Sequence, residues 1–280
     1  MNGPPQNYSI ASRGIQTKGN PPIIGIMNNA DSPDWWSDPW FWDVFGPLMF
    51  DDERLRTAGK DIENVIKLTG TAPPDRILDL GCGPGRHIRE LARRGFETTG
   101  LDLHQAYLDQ ARRSAAETGG PSPVLMKADM RSFDLEVPCD GAISMFQSLG
   151  YFDDDAGDLD TCRCVHDALD DDGWFLVETD GKEASAGIFE DRTWLERDGR
   201  LILLEQNAVA AWTRLSHRWL VRDRDGSWRE YTFSYRLYSA LELGRMLSEA
   251  GFAEVEFFGA LDGRPYDQNA EKLVALARRS

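Results

Sequence analysis

A strand-like run that leads into closely spaced glycines is the feature that most constrains this chain. Residues 77–86 read Ile-Leu-Asp-Leu-Gly-Cys-Gly-Pro-Gly-Arg, with three glycines at alternate positions. Glycine lets the backbone turn sharply and lets a ligand approach the main chain closely. In an open α/β sheet such a turn lies at the carboxyl edge, where nucleotide-like ligands bind. The run therefore predicts a cofactor-binding turn, with an ordinary strand–helix turn as the alternative.

The sixth position of this glycine loop argues against a dinucleotide. A pyrophosphate-binding turn of the G-x-G-x-x-G type has its third glycine there, whereas this chain has Arg86. The large side chain crowds the place where a dinucleotide would bring its phosphates. The sequence also lacks a Tyr-x-x-x-Lys dyad. An NAD(P)-dependent oxidoreductase on a Rossmann-like sheet is therefore only the alternative hypothesis.

Acidic and apolar residues follow the next two predicted strands. Asp102 ends the strand at 97–102, and Leu103 comes directly after it. A carboxylate there can accept two ribose hydroxyls, and the leucine can pack on a purine face. Asp129 follows the strand at 124–128, where an acid can accept a hydrogen bond from an exocyclic amino group. A ribose, a purine and no pyrophosphate describe S-adenosylmethionine, whose amino-acid tail would suit the glycine loop.

On these segments the chain resembles the class I S-adenosylmethionine-dependent methyltransferases, over roughly residues 34–280. It is most similar to small bacterial enzymes with an inserted antiparallel sheet, which include the sugar N-methyltransferases of antibiotic pathways. The resemblance implies methyl transfer to N, O or activated C of a small molecule in secondary metabolism. It rests on residues 78–87, 100–103, 128–130, 144–152, 172–176, 235–238 and 261–267.

The resemblance also implies a cofactor site. The backbone of Gly81 and Gly83 would hold the methionine part of S-adenosylmethionine, and Asp102 would bind its ribose. Leu103 and Met130 would flank the adenine, and Asp129 would accept a hydrogen bond from its amino group. The Phe146 ring would lie by the sulfonium. The full expected set is Asp79, Gly81, Cys82, Gly83, Arg86, Asp102, Leu103, His104, Asp129, Met130 and Phe146.

Two positions depart from the pattern of these relatives. The relatives usually carry a small hydroxyl residue two places after the ribose-binding acid, where this chain has His104. They also often place a tyrosine of the N-terminal arm over the cofactor, where Met49 and Phe50 stand. A phenyl ring cannot donate a hydrogen bond, so contacts to the cofactor tail are expected to differ.

The order of predicted elements indicates an α/β fold with an insertion. Strand-like and helical segments alternate from residue 76 to about residue 180, which predicts a Rossmann-like, doubly wound and mostly parallel sheet. Long β-patterned segments with Asp-Gly turns at 198–199 and 225–226 then predict an inserted antiparallel sheet. The predicted domains are a flexible tail at 1–32, an N-terminal helical lid at 33–72, a cofactor-binding domain at 73–184 and 238–280, and the inserted sheet at 185–237.

The predicted lid and the inserted sheet are both rich in aromatic residues. Large apolar rings crowd residues 35–50, and Tyr231, Phe233 and Tyr235 share one face of a predicted strand. Methyl transfer needs a site from which water is excluded, so we expect the two segments to form a substrate chamber together. The alternatives are that both are packed core, or that the inserted sheet forms a dimer interface.

Three side chains are candidates for a catalytic role. His217 shares an apolar strand face with Trp219, and a titratable ring there is a candidate base; a structural histidine is the alternative. Tyr235 is a second candidate, on the aromatic face of the next strand. Glu178 is the third candidate, and together with Asp180 it follows the fifth predicted strand. Either acid could hold an ammonium group, or simply cap the loop.

Composition restricts the partners. The chain has 31 basic and 47 acidic side chains and a net charge of −16, which opposes binding to nucleic acid or to an anionic membrane. The Asn/Asp-Pro-Pro-aromatic motif of base methylation is missing at 146–149, where Phe-Gln-Ser-Leu stands. We therefore expect a small-molecule substrate and neither a nucleic-acid nor a membrane partner, with a homodimer left open.

Cysteine usage indicates a cytoplasmic protein. The four cysteines frame no small disulfide scaffold, and the sequence shows no signal peptide or apolar run of membrane length. Cys162 and Cys164 lack a second ligand pair at zinc spacing, so no metal site is expected. One further alternative stays open, a protein that binds S-adenosylmethionine without transferring its methyl group, because its binding motifs would look the same.

Overall fold

The computed structural model describes residues 34–50 and 52–280, so the tail predicted at 1–32 lies outside the described residues. Within these two ranges, each helix is either too short or too polar to cross a bilayer. A 3₁₀ turn at Trp35–Ser37 precedes the helices α1 (Pro39–Met49), α2 (Asp52–Thr69), α3 (Arg86–Arg93), α4 (Gln105–Ala116), α5 (Asp155–Ala168), α6 (Lys182–Gly187) and α7 (Ala240–Glu249). The strands are β1 (Arg76–Leu80), β2 (Glu97–Asp102), β3 (Val124–Lys127), β4 (Cys139–Ser144), β5 (Leu169–Thr179), β6 (Arg192–Arg197), β7 (Arg200–Val209), β8 (Arg214–Arg222), β9 (Trp228–Arg236), β10 (Glu254–Phe258) and β11 (Leu273–Arg278).

A seven-stranded sheet in the order β10-β11-β5-β4-β1-β2-β3 forms the centre of the molecule. The strands β1 to β5 pair in parallel, whereas β11 pairs antiparallel with both β5 and β10. Helices α2 and α3 cover one face through Ile62 and Leu91, which pack with Leu176 of β5. Helices α5 and α7 cover the other face through Val165 and Leu243. The doubly wound, mostly parallel fold expected from the sequence is confirmed.

The strands β6–β9 form a separate four-stranded antiparallel sheet in sequential order. Asp198 and Gly199 have φ values of 52° and 71° in the turn between β6 and β7, and Gly226 has φ 86° in the turn between β8 and β9. At 198–199 both central residues have positive φ, which is the reason that Asp-Gly is favoured in tight hairpin turns. At 225–226 the positive φ belongs to the glycine, in a loop of five residues between β8 and β9. The limits of the inserted domain at 185 and 237 stay a prediction.

The N-terminal segment packs on the inner face of this second sheet. Trp35, Phe41 and Phe45 are buried with Tyr231 and Phe233 in one aromatic cluster. The Trp35 and Phe233 ring centroids lie 4.7 Å apart, and the Tyr231 hydroxyl donates to a carboxylate just before α1. The rings of β9 therefore face α1 rather than an open chamber, as in the packed-core alternative.

The end of one strand and the presence of one short helix differ from the sequence-based expectation. The fourth strand, expected to reach residue 146, ends at Ser144, because Phe146 and Gln147 have left-handed φ values of 65° and 61°. No sequence signal indicated this turn, since neither residue is glycine or asparagine. Helix α6 was not predicted either, because its six residues are too few to show helical periodicity.

Candidate cofactor site

The glycine loop joins β1 to α3 and is held against the neighbouring strand. The Cys82 nitrogen donates a hydrogen bond to the Leu101 carbonyl oxygen at 3.0 Å. Gly85 has φ 82° and directly precedes α3. A Cβ built at Gly85 would lie 2.8 Å from the Cα of Ala111 on α4. Glycine is therefore required at this position by the backbone angle and by the close approach of α4.

Two main-chain donors fix the Asp102 carboxylate. Its Oδ2 accepts a hydrogen bond from the Gly83 nitrogen at 2.9 Å, and its Oδ1 accepts one from the His104 nitrogen at 2.8 Å. Burial raises the pKa of Asp102, and these donors act in the opposite direction. Each oxygen keeps a second acceptor position, which suits the hydroxyls of a ribose. The ring of His104 faces the N-terminal segment, with Nε2 3.2 Å from the Trp36 carbonyl oxygen.

Asp79 brings an unpartnered carboxylate oxygen to the glycine loop. The residue is 2% exposed, and its Oδ2 has no hydrogen-bond partner among the residues that the structure describes. Burial raises the pKa of Asp79 to about 8, although the charge of Arg86 acts in the opposite direction. A buried charge without a partner is costly, so this oxygen would gain from a cationic ligand group. The feature fits the ammonium group of S-adenosylmethionine.

Asp129 is already paired with a neighbour that the sequence analysis did not identify. The Arg131 guanidinium donates to both carboxylate oxygens, with Nε 3.0 Å from Oδ1 and Nη2 2.6 Å from Oδ2. This hydrogen bonding lowers the pKa of Asp129. The same guanidinium lies 4.4 Å from the ring centroid of Phe152 and 5.2 Å from that of Trp36. Asp129 therefore orients Arg131 against the rings of two residues that line the pocket, and a hydrogen bond from adenine would use the remaining acceptor positions of Asp129.

Cys82 and Arg86 supply the buried side chains of the loop. Burial raises the pKa of the Cys82 thiol well above its usual range, which keeps it protonated. A guanidinium nitrogen of Arg86 lies 3.6 Å from Asp61 Oδ2, and the guanidinium carbon lies 5.1 Å from the Phe146 ring centroid. Asp61 belongs to α2, so the predicted lid segment contributes a charge to this site.

The loop after β4 carries Phe146 into the site at a conformational cost. Its left-handed φ of 65° costs on the order of 1–3 kcal/mol outside glycine and asparagine. The Phe146 nitrogen donates to Glu178 Oε2 at 2.9 Å. Burial raises the pKa of Glu178. One oxygen of the candidate catalytic acid therefore holds the main chain of a pocket residue, and a catalytic role for Glu178 stays a prediction.

His217 and Tyr235 lie together on the inner face of the second sheet. Their ring centroids are 5.0 Å apart, and His217 Nε2 has no partner among the described residues. Burial lowers the pKa of His217 to about 4. The Tyr235 hydroxyl donates to Asp180 Oδ2 at 3.0 Å, and Lys272 Nζ lies 2.6 Å from the other oxygen of that acid. The structure brings these two candidates together, but neither belongs to the lining of the pocket described next.

A pocket opens between the glycine loop and the N-terminal segment. The Phe50 ring lies over the loop, with Cζ 3.2 Å from a Cβ built at Gly83. Every residue of the expected cofactor-binding set lines this pocket. The lining also includes residues that the sequence analysis did not assign to the cofactor, among them Trp36, Trp42, Tyr107, Ser148, Tyr151 and Phe152. Across residues 34–50 and 52–280, no group of three or more His, Cys, Asp or Glu residues is arranged so that it could bind a metal ion.

A doubly wound sheet with a glycine loop and an acid at adjacent strand ends defines a Rossmann-like cofactor-binding protein. A family profile described as a methyltransferase domain matches residues 77–173, which include both features. The putative methyltransferase YqeM of Bacillus subtilis is 30% identical over 125 residues, which cover 44% of this chain and 49% of that protein. The match thus spans about half the length of this curated relative.

Two further comparisons cover different shares of the chain. The structure of S-adenosylmethionine-bound CalS10, an amino pentose methyltransferase from Micromonospora echinaspora, has 25% identity and a TM-score of 0.60, covering 80% of this chain and 92% of that one. The S-adenosyl-L-methionine-dependent Diels-Alderase iccD of Talaromyces variabilis is 40% identical over 118 residues, 40% of this chain and 37% of that protein. Residues 77–173 thus match a methyltransferase domain, and the chain as a whole is similar in fold to an S-adenosylmethionine-bound methyltransferase, in agreement with the resemblance to the class I enzymes.

Proposed function

We propose that this protein transfers a methyl group from S-adenosylmethionine to N, O or an activated C of a small molecule in secondary metabolism. The observation that carries the proposal is a pair of acids at adjacent strand ends. Asp79 offers a buried oxygen without a partner among the described residues, and Asp102 is fixed by two main-chain nitrogens. A cofactor with an ammonium group at one end and a ribose further along would satisfy both acids.

The protein's part in the reaction is to bind, orient and exclude water. S-Adenosylmethionine, when bound, supplies an electrophilic methyl group on a sulfonium. Asp79 and the Gly81–Gly83 backbone hold the amino-acid end, and Asp102 holds the ribose. Leu103 and Met130 offer apolar surface to the adenine. The rings of the N-terminal segment close the pocket from water, which strengthens every electrostatic contact inside it.

Transfer to a protonated nucleophile also releases a proton. His217 is neutral at pH 7, because burial lowers its pKa to about 4, and its Nε2 has no hydrogen-bond partner among the described residues. The Tyr235 hydroxyl keeps its proton, because burial and Asp180 raise its pKa. Glu178 already accepts from the Phe146 nitrogen. Of the three candidates, His217 is the one that we propose as the base. This role requires the nucleophilic atom, aligned with the methyl group, to lie within hydrogen-bond reach of His217 Nε2, directly or through one water.

Calorimetry with S-adenosylhomocysteine and with NADH tests the choice of cofactor. We expect binding of S-adenosylhomocysteine and none of NADH, and the reverse result would favour the oxidoreductase alternative. Transfer of a labelled methyl group from S-adenosylmethionine to a panel of small amines, alcohols and activated carbon acids then tests the reaction. A labelled product that forms only with intact protein would support the proposal.

A protein that binds S-adenosylmethionine without methyl transfer is the second candidate. It is favoured by one observation, the similarity to a relative that is named a Diels-Alderase dependent on this cofactor. The residues proposed to bind the cofactor would be the same in both cases. Tight binding of S-adenosylhomocysteine with no labelled product, together with a rearranged but unmethylated substrate, would favour this candidate.

We also propose that two copies pair through the outer face of the inserted sheet. Trp194, which is 64% exposed, lies opposite Leu203, and Leu203 lies opposite Leu220, so the three form an apolar row. On the same face Arg218 forms an ion pair with Glu205. Charges beside the row are therefore balanced, although the chain as a whole carries −16. A two-fold axis would bring two such rows together without charge repulsion.

The proposed methyl acceptor is a small molecule, and we propose neither a nucleic-acid nor a membrane partner. The proposed location is the cytoplasm. The location is supported by the cysteines, all four of which are free thiols. The acceptor class is supported by the aromatic lining of the pocket, which suits a small apolar or cationic molecule.

A further inference from the structure

We infer that Gln147 is a positioning residue, which holds the loop after β4 so that the Phe146 ring lines the cofactor pocket. This inference rests on the proposed function, because the pocket it concerns is the proposed S-adenosylmethionine site. The loop comprises residues 145–151, and its members Met145, Ser148 and Tyr151 line the same pocket.

The backbone of this loop cannot hold its own conformation. Phe146 and Gln147 are consecutive residues with φ values of 65° and 61°. A Cβ collides with the following carbonyl oxygen in this left-handed region. Such residues persist only where the surrounding structure fixes them, and they cluster at functional sites. The loop therefore needs bonds from outside to keep Phe146 in the pocket wall.

The side-chain amide of Gln147 supplies four of these bonds, in addition to the bond from the Phe146 nitrogen to Glu178 Oε2. Its Oε1 accepts from Thr179 Oγ1 at 2.7 Å and from the Asp180 nitrogen at 2.6 Å. Its Nε2 donates to the Leu149 carbonyl oxygen at 3.1 Å and to the Arg236 carbonyl oxygen at 3.4 Å. One amide thus joins the loop to the end of β5 and to the end of β9.

Close backbone contact makes the connection to β9 tight. The Arg236 nitrogen donates to the Gly150 carbonyl oxygen at 2.7 Å. A Cβ built at Gly150 would lie 2.7 Å from the Arg236 carbonyl oxygen, and Gly150 has φ 104°. The loop therefore lies directly against the last residue of β9. A displacement of the inserted sheet would reach Phe146 through Gln147, so the amide links the second sheet to the cofactor pocket.

A Gln147→Gly variant separates positioning from a purely structural role. Glycine adopts the left-handed backbone without steric cost, so this variant relieves strain while it removes all the side-chain bonds. If the amide served only the fold, the relief of strain would leave the pocket intact. If the amide positions the loop, Gln147→Gly makes the loop more mobile and the Phe146 ring no longer stays in the pocket wall. Thr179→Val removes a single donor to Gln147 Oε1 and leaves the backbone unchanged.

Calorimetry with S-adenosylhomocysteine, with melting temperatures from circular dichroism, measures both effects. We expect Gln147→Gly to bind about tenfold more weakly than the wild type, with cooperative melting retained. Thr179→Val should lose less, and the double variant should bind no more weakly than Gln147→Gly, because both changes remove the same bond. Gln206→Gly serves as the matched control, since Gln206 lies on β7 and its amide bonds only the Glu190 carbonyl oxygen.

Each outcome decides the matter. Wild-type affinity in folded Gln147→Gly overturns the inference, and so does a double variant whose losses add. If Gln147→Gly does not fold, unchanged affinity in Thr179→Val overturns it. A wild-type protein that fails to bind S-adenosylhomocysteine at all overturns the proposed function, and the inference with it.

Discussion

The main-chain nitrogen of Gly83 donates a hydrogen bond to the Asp102 carboxylate at 2.9 Å. The bond joins the glycine loop to the end of β2, so the two groups proposed to hold the amino-acid end and the ribose have fixed relative positions. A site arranged in advance loses less conformational freedom when its ligand binds. Substitutions at either residue should therefore affect affinity more than fold.

Replacing Asp102 by alanine should weaken the binding of S-adenosylhomocysteine by about 1.5–3 kcal/mol, the scale of hydrogen bonds to a charged group. Isothermal calorimetry measures the change. Asp109→Ala is the matched control, because Asp109 lies on α4 and forms a surface ion pair with Arg112. Equal affinity in Asp102→Ala and the wild type would remove Asp102 from the site.

Gly83→Val should abolish this binding while the protein still unfolds cooperatively. Gly83 has φ 52°, and a Cβ there would lie 3.2 Å from the Phe50 ring, so a branched side chain would push that ring out of the pocket. Gly187→Val is the control, since a Cβ at Gly187 meets open space. Normal binding by folded Gly83→Val would mean that the ligand lies elsewhere.

The free energy of unfolding of the ligand-free protein should depend on pH because of Asp79. The pKa of this acid is about 8 in the folded protein and about 3.9 in an unfolded chain. Between these values the native state holds a proton that the unfolded state has released, so the free energy of unfolding falls as the pH rises. Asp79→Asn removes this contribution, and its free energy of unfolding should fall less with pH. Urea unfolding across this range checks the slopes, and parallel slopes would contradict the assignment.

Binding of S-adenosylhomocysteine at pH 7 should release a proton from Asp79. The ammonium group of the ligand favours the charged carboxylate, whereas the free protein holds the acid protonated, with a pKa of about 8. Binding enthalpies in buffers of different ionisation enthalpy count the protons released. Asp79→Asn should release fewer, and equal proton release in both proteins would place the ammonium group away from Asp79.

Trp194→Asp should convert a homodimer into a monomer that still unfolds cooperatively, because the ring is largely exposed within one chain. Light scattering after size exclusion measures the mass. Val124→Asp, at another exposed apolar residue on β3, should leave the dimer intact. A monomeric wild type would show that the outer face of the second sheet has a different role.

The features that the sequence predicted are those that act over short stretches of chain. Gly85 meets a local backbone requirement, and Asp102 ends its strand, so both could be placed from sequence. The turns at 198–199 and 225–226 were likewise predicted from local sequence, because each contains a glycine with positive φ. All residues expected at the cofactor were found around one pocket because the carboxyl ends of parallel strands meet at one edge.

The features that the sequence did not predict are contacts between distant elements. Asp61 approaches Arg86 from α2, and the Gln147 amide bonds the end of β9, 89 residues later. Neither residue stands out in a local pattern, and helix and strand periodicity says nothing about partners at such separations. The pairing of α1 with β9 was expected, but as the walls of a chamber; the close packing of their rings was only the alternative, since aromatic residues on a strand do not indicate how closely a partner covers them.

The aromatic segment around α1 has its partners near the other end of the chain. Trp35 Nε1 bonds the Ser234 carbonyl oxygen, 199 residues later. At synthesis rates of about 5–20 residues per second, β9 emerges roughly 10–40 s after this segment. During that interval the rings of Phe41 and Phe45 have no strand to pack on. During that interval the nascent chain therefore carries an apolar helix whose packing partner has not yet been synthesised, and a ribosome-associated chaperone would find a binding site in α1.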